Sequence, residues 1–279
     1  MTGGDDTRPL HHARRVIVVR AVILVALALC LAGCSTHTPS ILRAAGQSAK
    51  EIRTLTIEVF AILSAILITV WSLLAWVIVR YRKRPETEAG RSTGNTSLEV
   101  LWTAIPAVIV AVLFTLTLQT TGRLIIPANT VELTVPAHQW WWRLQYTGAT
   151  FQAANEIHVP AERTITMDLL SADVIHGFWV PQLNGKLQLI PGHVNHITFL
   201  PLKPGTYLGE CANFCGKGHA HMRFLVIVEP ANQFTAWFAD QMKPAAAPVG
   251  PQATAGLNAM ATLPCSGCHT VRGTTMRGT

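Results

Sequence analysis

The sequence predicts a membrane-anchored α+β chain: a two-helix transmembrane hairpin, then a β-sandwich, then the start of a further helical module. Three observations carry this prediction. Of the 279 residues 49% are hydrophobic and only 13% are charged, with a mean hydropathy of +0.32, a balance too apolar for a wholly soluble domain. Two long apolar runs flank one short basic loop, and beyond residue 124 the texture changes to brief alternating segments punctuated by proline and glycine. The net charge of +7 does not indicate a nucleic-acid partner. Many of its cations sit in the leader and beside an apolar run, where they act as orientation signals.

Residues 1–33 read as a secretory leader, with Arg14 and Arg15 ahead of the apolar run from Ala21 to Ala32. That run is about a dozen residues, short of the roughly 20 that a helix needs to span a bilayer. It ends in L-A-G-C, Leu31 to Cys34, which resembles a bacterial lipoprotein signal and makes Cys34 the lipid-bearing first residue of the mature chain. The alternative is an uncleaved anchor in which Cys34, like Cys30, is incidental.

Residues 34–122 hold the hairpin, with helices expected over about 57–79 and 98–118. The first run is rich in Ile, Leu, Val and Trp and ends in R-Y-R-K-R-P, Arg80 to Pro85, a cationic cluster that marks the inner side. The loop with Gly90, Gly94 and Asn95 is therefore inside, and everything beyond Gln119 is outside. Trp71 and Trp76 read as packing or interface residues. Glu99 opens the second helix, where the helix dipole favours an acid.

Residues 123–232 form the β domain. T-V-E-L-T-V (Thr130 to Val135) and T-I-T-M-D-L (Thr164 to Leu169) alternate as strands do, and P-G pairs at Pro191 and Pro204 supply turns. Several such strands in about a hundred residues indicate a sandwich.

Within it, Cys211 to Met222 reads C-A-N-F-C-G-K-G-H-A-H-M, two thiols, an imidazole and a thioether in one loop. Soft donors of this kind suit copper better than zinc, calcium or magnesium. A mononuclear blue-copper site would leave one thiol surplus, a zinc site would not use Met222, and a Cys211–Cys215 disulfide would use neither His219 nor Met222. Two copper ions bridged by both thiolates use all four residues.

Residues 233–252 read as a short helix and a linker, P-A-A-A-P-V-G-P-Q from Pro244 to Gln252. Beyond, over 253–279, lies C-S-G-C-H, Cys265 to His269, the attachment pattern for a c-type haem: Cys265 and Cys268 as thioethers, His269 on the iron. Met276 is too close in sequence to reach the opposite haem face, so these residues read as an incomplete cytochrome c domain. With two cysteines in or ending the leader, two on copper and two on haem, no pair is left for a structural disulfide.

The copper loop resembles the C-x-E-x-C-x-x-x-H-x-x-M signature of cytochrome c oxidase subunit II. D-V-I-H-G-F-W-V-P, Asp173 to Pro181, is similar to that family's first-histidine segment, and I-P-G at Ile190 to its following turn. The resemblance implies a cupredoxin-like sandwich and the ligands His176, Cys211, Cys215, His219 and Met222, with the carbonyl of Asn213 as a sixth contact. The family's Glu is Asn213 here, which puts in doubt a magnesium ion shared with subunit I, and the family's acid after the Lys is Gln188, which weakens an acidic docking face. A-H-Q-W-W-W, Ala137 to Trp142, resembles the family's G-H-Q-W-x-W, which implies Trp140 as the electron-accepting aromatic, with packing as the alternative. E-V-L-W-T-A-I-P also matches, so Glu99 either admits protons or is an ordinary helix-start acid. His138, His158, His193, His196 and His221 fall outside the ligand pattern.

The resemblance implies a bacterial haem-copper terminal oxidase in the plasma membrane, its copper domain on the outer face. Subunit I, subunit III, cytochrome c and membrane lipid are the expected partners. Electrons would pass from cytochrome c to the dicopper centre and on to haem in subunit I, where oxygen is reduced to water and protons are pumped. A membrane-anchored copper-binding or delivery protein is the alternative; it would need neither the haem motif nor a docking hairpin. Quinol oxidase subunit II shares the hairpin and sandwich but lacks the copper ligands, which this chain keeps.

Overall fold

Helices α1 (Gln47–Tyr81) and α2 (Thr96–Leu124) are 35 and 29 residues long. At 1.5 Å per residue α1 extends about 52 Å, well beyond the roughly 30 Å of hydrocarbon. The surplus lies outward, where the expected start at 57 becomes Gln47: Gln47 to Thr56 contains no proline or glycine to stop a helix. Glu58 falls inside the expected span, so the uncharged stretch is 59–79. Across the spans large side chains such as Phe60, Trp71, Trp102 and Phe114 are exposed, as a lipid- or partner-facing surface requires. The computed structural model describes residues 39–82, 94–127 and 132–267, with Val25, His269 and Val271. Cys34, Cys268, Met276 and the part of the basic cluster from Lys83 to Pro85 lie outside the described residues.

Asn95 caps α2, its Oδ1 accepting from the N–H groups of Ser97 (3.1 Å) and Leu98 (3.3 Å). At the opposite, outer ends of the helices Arg123 of α2 meets Glu51 of α1 at 3.4 Å. Just before α1, backbone N–H groups of Ala45 and Gly46 donate to the Gln182 carbonyl, and that of Gln47 to Leu200. Gly46 permits this seam, since a Cβ there would lie 2.3 Å from the Leu183 carbonyl oxygen. The hairpin is thus seated on the β domain through main-chain bonds.

The domain is two five-stranded sheets. One has the order β3 (Gln152–Ala154), β2 (Trp141–Tyr146), β1 (Leu133–His138), β5 (Ile165–Ser171), β8 (Asn195–Phe199). The other runs β4 (Glu156–Pro160), β10 (Arg223–Glu229), β9 (Gly205–Cys211), β6 (His176–Trp179), β7 (Leu187–Leu189). β1 pairs with β5, and β4 with β10, in parallel; the other pairings are antiparallel. Alternate residues of β9 and β10 are buried, the period-two pattern of strands with one face inward. Between the sheets Trp142, Phe178 and Phe224 form an aromatic cluster with centroids 4.7–5.8 Å apart.

After β10, α3 (Ala231–Met242) packs Trp237 and Phe238 against Tyr146 and Phe151. Residues 243–250 are not helical, and a further helix, α4 (Pro251–Thr262), then begins with Pro251 in its first turn, a position where the missing N–H costs nothing. The linker is accordingly shorter than the sequence suggested. A 3₁₀ turn, Pro264–Gly267, carries Cys265, and the His269 N–H donates to the Cys265 carbonyl at 2.9 Å.

Candidate metal centre

Three pieces of chain meet at one end of the sandwich. β6 begins with His176, whose side chain is fully buried. β9 ends with Cys211, and the loop that follows turns through Cys215 and a 3₁₀ turn, His219–His221, to Met222, the residue before β10. The loop folds back because Cys211 N–H donates to the Met222 carbonyl at 3.0 Å while Ala212 N–H donates to the Gly177 carbonyl at 2.9 Å.

This brings the expected donors together around two sulfurs. Cys211 Sγ lies 3.8 Å from Cys215 Sγ, 3.8 Å from His176 Nδ1 and 3.2 Å from the Asn213 carbonyl oxygen. Cys215 Sγ lies 3.6 Å from His219 Nδ1 and 3.7 Å from Met222 Sδ. The sulfurs are too far apart for a disulfide bond of about 2.05 Å. The ligand atoms of His176, Cys211 and Cys215 all lie within 4.8 Å of one another, and all three residues are buried. Two thiols, two imidazoles, a thioether and a carbonyl converging in a buried space are soft, mixed donors that fit copper.

The thiols differ electrostatically. Burial raises both, but hydrogen bonds from His176 and from backbone groups of Gly177 and Asn213 outweigh it at Cys211 and hold that thiol well below its ordinary value. Cys215, buried and facing the negative charge on Cys211, is pushed well above it.

Asp173 and Gln139 belong to the site although the sequence marked neither for a role. Despite burial, hydrogen bonds from His176 and from the backbone of Val174 and Gln139 keep the Asp173 carboxyl below its usual range. His176 is raised: its burial opposes the charge, but Cys211 and Asp173 more than compensate. The Cys215 carbonyl accepts from both Gln139 Nε2 (2.7 Å) and Trp140 Nε1 (3.2 Å). Trp140 is therefore half-exposed directly beside a cysteine of the cluster, its ring lying over Gly218, where a Cβ would come within 2.5 Å of it. Glutamine and aspartate in turns are too common for sequence alone to have singled these two out.

Glu99 stands apart, exposed in the first turn of α2 at the inner end of the hairpin. Cys265 is a free cysteine beyond α4. His138 stacks on Trp141 with centroids 4.7 Å apart, and His158 stacks on Trp237 at 3.9 Å, as structural histidines do.

The family model described as cytochrome c oxidase subunit II, transmembrane domain, matches residues 35–119, and the model of that subunit's periplasmic domain matches residues 147–229. A cytochrome c oxidase subunit 2 from Alkalihalophilus pseudofirmus is 31% identical over 258 residues, covering 89% of this chain and 75% of that protein. The chain belongs to the cytochrome c oxidase subunit II family. A quinol oxidase subunit 2 from Bacillus cereus is also similar, 31% identical over 226 residues, with 78% of this chain and 77% of that protein covered. The periplasmic domain of subunit II of the Bradyrhizobium japonicum cytochrome oxidase is 28% identical, covers 42% of this chain and 96% of that domain, and superposes with a TM-score of 0.40. As a subunit II, the chain is a two-span membrane protein with a periplasmic β domain and a component of a haem-copper oxidase. Membership implies copper, and the His176–Cys211–Cys215 cluster is the place where the chain can hold it. A free-standing copper-delivery protein is not favoured, because the hairpin as well as the β domain matches the oxidase subunit.

Proposed function

We propose that this subunit II accepts single electrons from a cytochrome c at a dinuclear copper centre and hands them to haem in subunit I, where oxygen is reduced to water and protons are pumped. The observation that carries the reading is the convergence of Cys211, His219 and Met222 on Cys215, with His176 behind Cys211. His176, Cys211, Cys215, His219, Met222 and the Asn213 carbonyl would together hold the copper. When bound, the copper pair supplies one-electron redox chemistry with the charge shared over both ions.

The chain's own residues prepare this chemistry. The sandwich holds the donors in place before metal arrives, so that little must move when an electron comes or goes. Asp173 fixes the His176 ring from behind. Trp140, half-exposed and hydrogen-bonded to the Cys215 carbonyl, offers a path from solvent to the cluster. The Asn213 amide carries no charge with which to attract a magnesium ion shared with subunit I.

Around this core we place a leader over 1–33, Cys34 as the attachment point for membrane lipid, the hairpin over 34–122, the copper domain over 123–232, a helix and linker over 233–252, and a haem c segment over 253–279 through Cys265, Cys268 and His269. To Glu99, an acid in the first turn of α2, we assign the admission of protons. Subunits I and III are the membrane partners.

Electron-spin resonance of the copper-loaded complex tests the centre. A signal shared over two copper nuclei supports it, and a signal confined to one nucleus removes it. Cys215→Ser should abolish the shared signal.

A further inference from the structure

A hollow of about 770 Å³ lies beside the outer end of α1. Residues 39–42 form one side, α1 from Thr56 to Ser64 the other, and Trp179 and Pro181 line it from the β domain; no lining residue is charged. Its depth follows from the helix. The uncharged run of α1 begins at Val59, so at 1.5 Å per residue Thr56 stands about 4–5 Å outside that level and Ser64 about 7–8 Å inside it. The headgroup layer adds about 5–8 Å to each side of the hydrocarbon. The hollow therefore crosses from headgroups into acyl chains, and Trp179 is the amphipathic kind of ring that collects at this boundary.

A cation stands over this slot. Arg53, Ile57, Phe60 and Ser64 are spaced i, i+4, i+7 and i+11, so they share one face of α1, with the arginine one turn outward of the hollow. Arg53 is exposed and has no ion pair among the described residues. Of the two acids of α1, Glu51 is taken by Arg123, and Glu58 lies about 140° round the helix from Arg53. Arg53 is about 9 Å outside the level of Val59, and its long side chain can settle towards the phosphate layer. A helix of another subunit laid in the hollow would fill the slot but leave the guanidinium unanswered; a phospholipid answers both.

We propose that the hollow between α1 and residues 39–42 holds one acyl chain of an anionic phospholipid of the outer leaflet, with the lipid phosphate on Arg53. The bound lipid fixes the outer end of α1 against the β domain, and the site does not depend on the copper assignment.

The test is photolabelling of the intact oxidase complex in phosphatidylcholine nanodiscs that carry a trace of phosphatidylglycerol with a diazirine on one acyl chain. Mass spectrometry of the digested subunit should find the label on the peptides that contain residues 39–42 and Thr56 to Ser64. Ala61→Trp, which puts an indole into the slot, should lose most of that labelling. Arg53→Gln should lower it by about fivefold, the usual worth of one cation near an anionic headgroup, and Arg53→Lys should keep it. An unchanged visible spectrum and subunit content show that each variant has folded and assembled. Inorganic phosphate in the buffer should not displace the lipid; if it does, the site takes the anion alone and the proposal falls. Wild-type labelling in both Ala61→Trp and Arg53→Gln would overturn it, as would label found only on the partner subunits. Labelling that appears only in Cys34→Ala would give the slot to lipid carried by the chain itself, and that too would overturn it.

Discussion

Asp173 and His176 are joined by a 2.8 Å hydrogen bond from the imidazole Nε2 to the carboxylate Oδ1, while the other ring nitrogen faces Cys211. The second carboxylate oxygen takes the Gln139 N–H at 2.7 Å. One side chain thereby sets the orientation of a cluster imidazole and the position of the turn that carries Trp140.

Asp173→Ala should therefore disturb both. It leaves Nε2 of a fully buried ring without its acceptor and releases the Gln139 N–H. Copper affinity should fall by about 10–100-fold, the usual cost of losing a carboxylate behind a metal-binding histidine. Competition against a chelator of known affinity measures it, and Asp173→Asn, which keeps an acceptor, should lose less.

Gly218→Ala should separate electron uptake from metal binding. The added methyl would lie 2.5 Å from the Trp140 ring, which must swing away from the Cys215 carbonyl. Electron transfer from cytochrome c should slow by about tenfold or more, because ångström-scale displacement of a positioned group is costly, while the resonance spectrum of the copper stays as it was. Rapid-mixing kinetics read the first effect. An unchanged rate would make Trp140 a packing residue.

How much of this was legible in the sequence follows from how local each feature is. The hairpin declared itself because a bilayer demands a long apolar run, and the cluster because four of its donors lie within twelve residues, Cys211 to Met222. The outward extension of α1 to Gln47 was missed, since Gln47 to Thr56 is polar and carries no membrane signal, only a permissive helical composition. The helical module expected beyond residue 252 begins two residues early, because Pro251 looked like linker but serves as a helix start. The role of Gln139 depends on segments 34 and 76 residues away being neighbours, which no local pattern states, whereas Asp173 lies only three residues before His176 and was passed over because an aspartate in a turn is too common to single out.

Trp142→Ala tests what holds the sandwich beneath the site. Trp142 is fully buried, packs on Phe178 and Phe224, and meets the His176 ring edge-on at 6.2 Å. Truncation should cost about 3–5 kcal/mol of stability. Thermal unfolding of the full chain in detergent would show it as a lower Tm, and Trp142→Phe should fall between, because the Nε1 it removes has no hydrogen-bond partner among the described residues.

Gly177 and Asn213 form a final contrasting pair. The loop after Cys211 lies directly on the bare Gly177, so that a Cβ there would come 2.7 Å from Asn213 Oδ1 and 3.0 Å from the Asn213 nitrogen. Backbone cannot yield as a flexible side chain does, so Gly177→Ala should lift the loop and move the Asn213 carbonyl from its place 3.2 Å from Cys211 Sγ. Asn213→Ala removes only the side chain and leaves that carbonyl where it is. The first substitution should alter the resonance spectrum and the second should leave it unchanged, because the centre uses residue 213 through its main chain. Equal damage from both would assign the Asn213 side chain a part in the centre that the carbonyl does not explain.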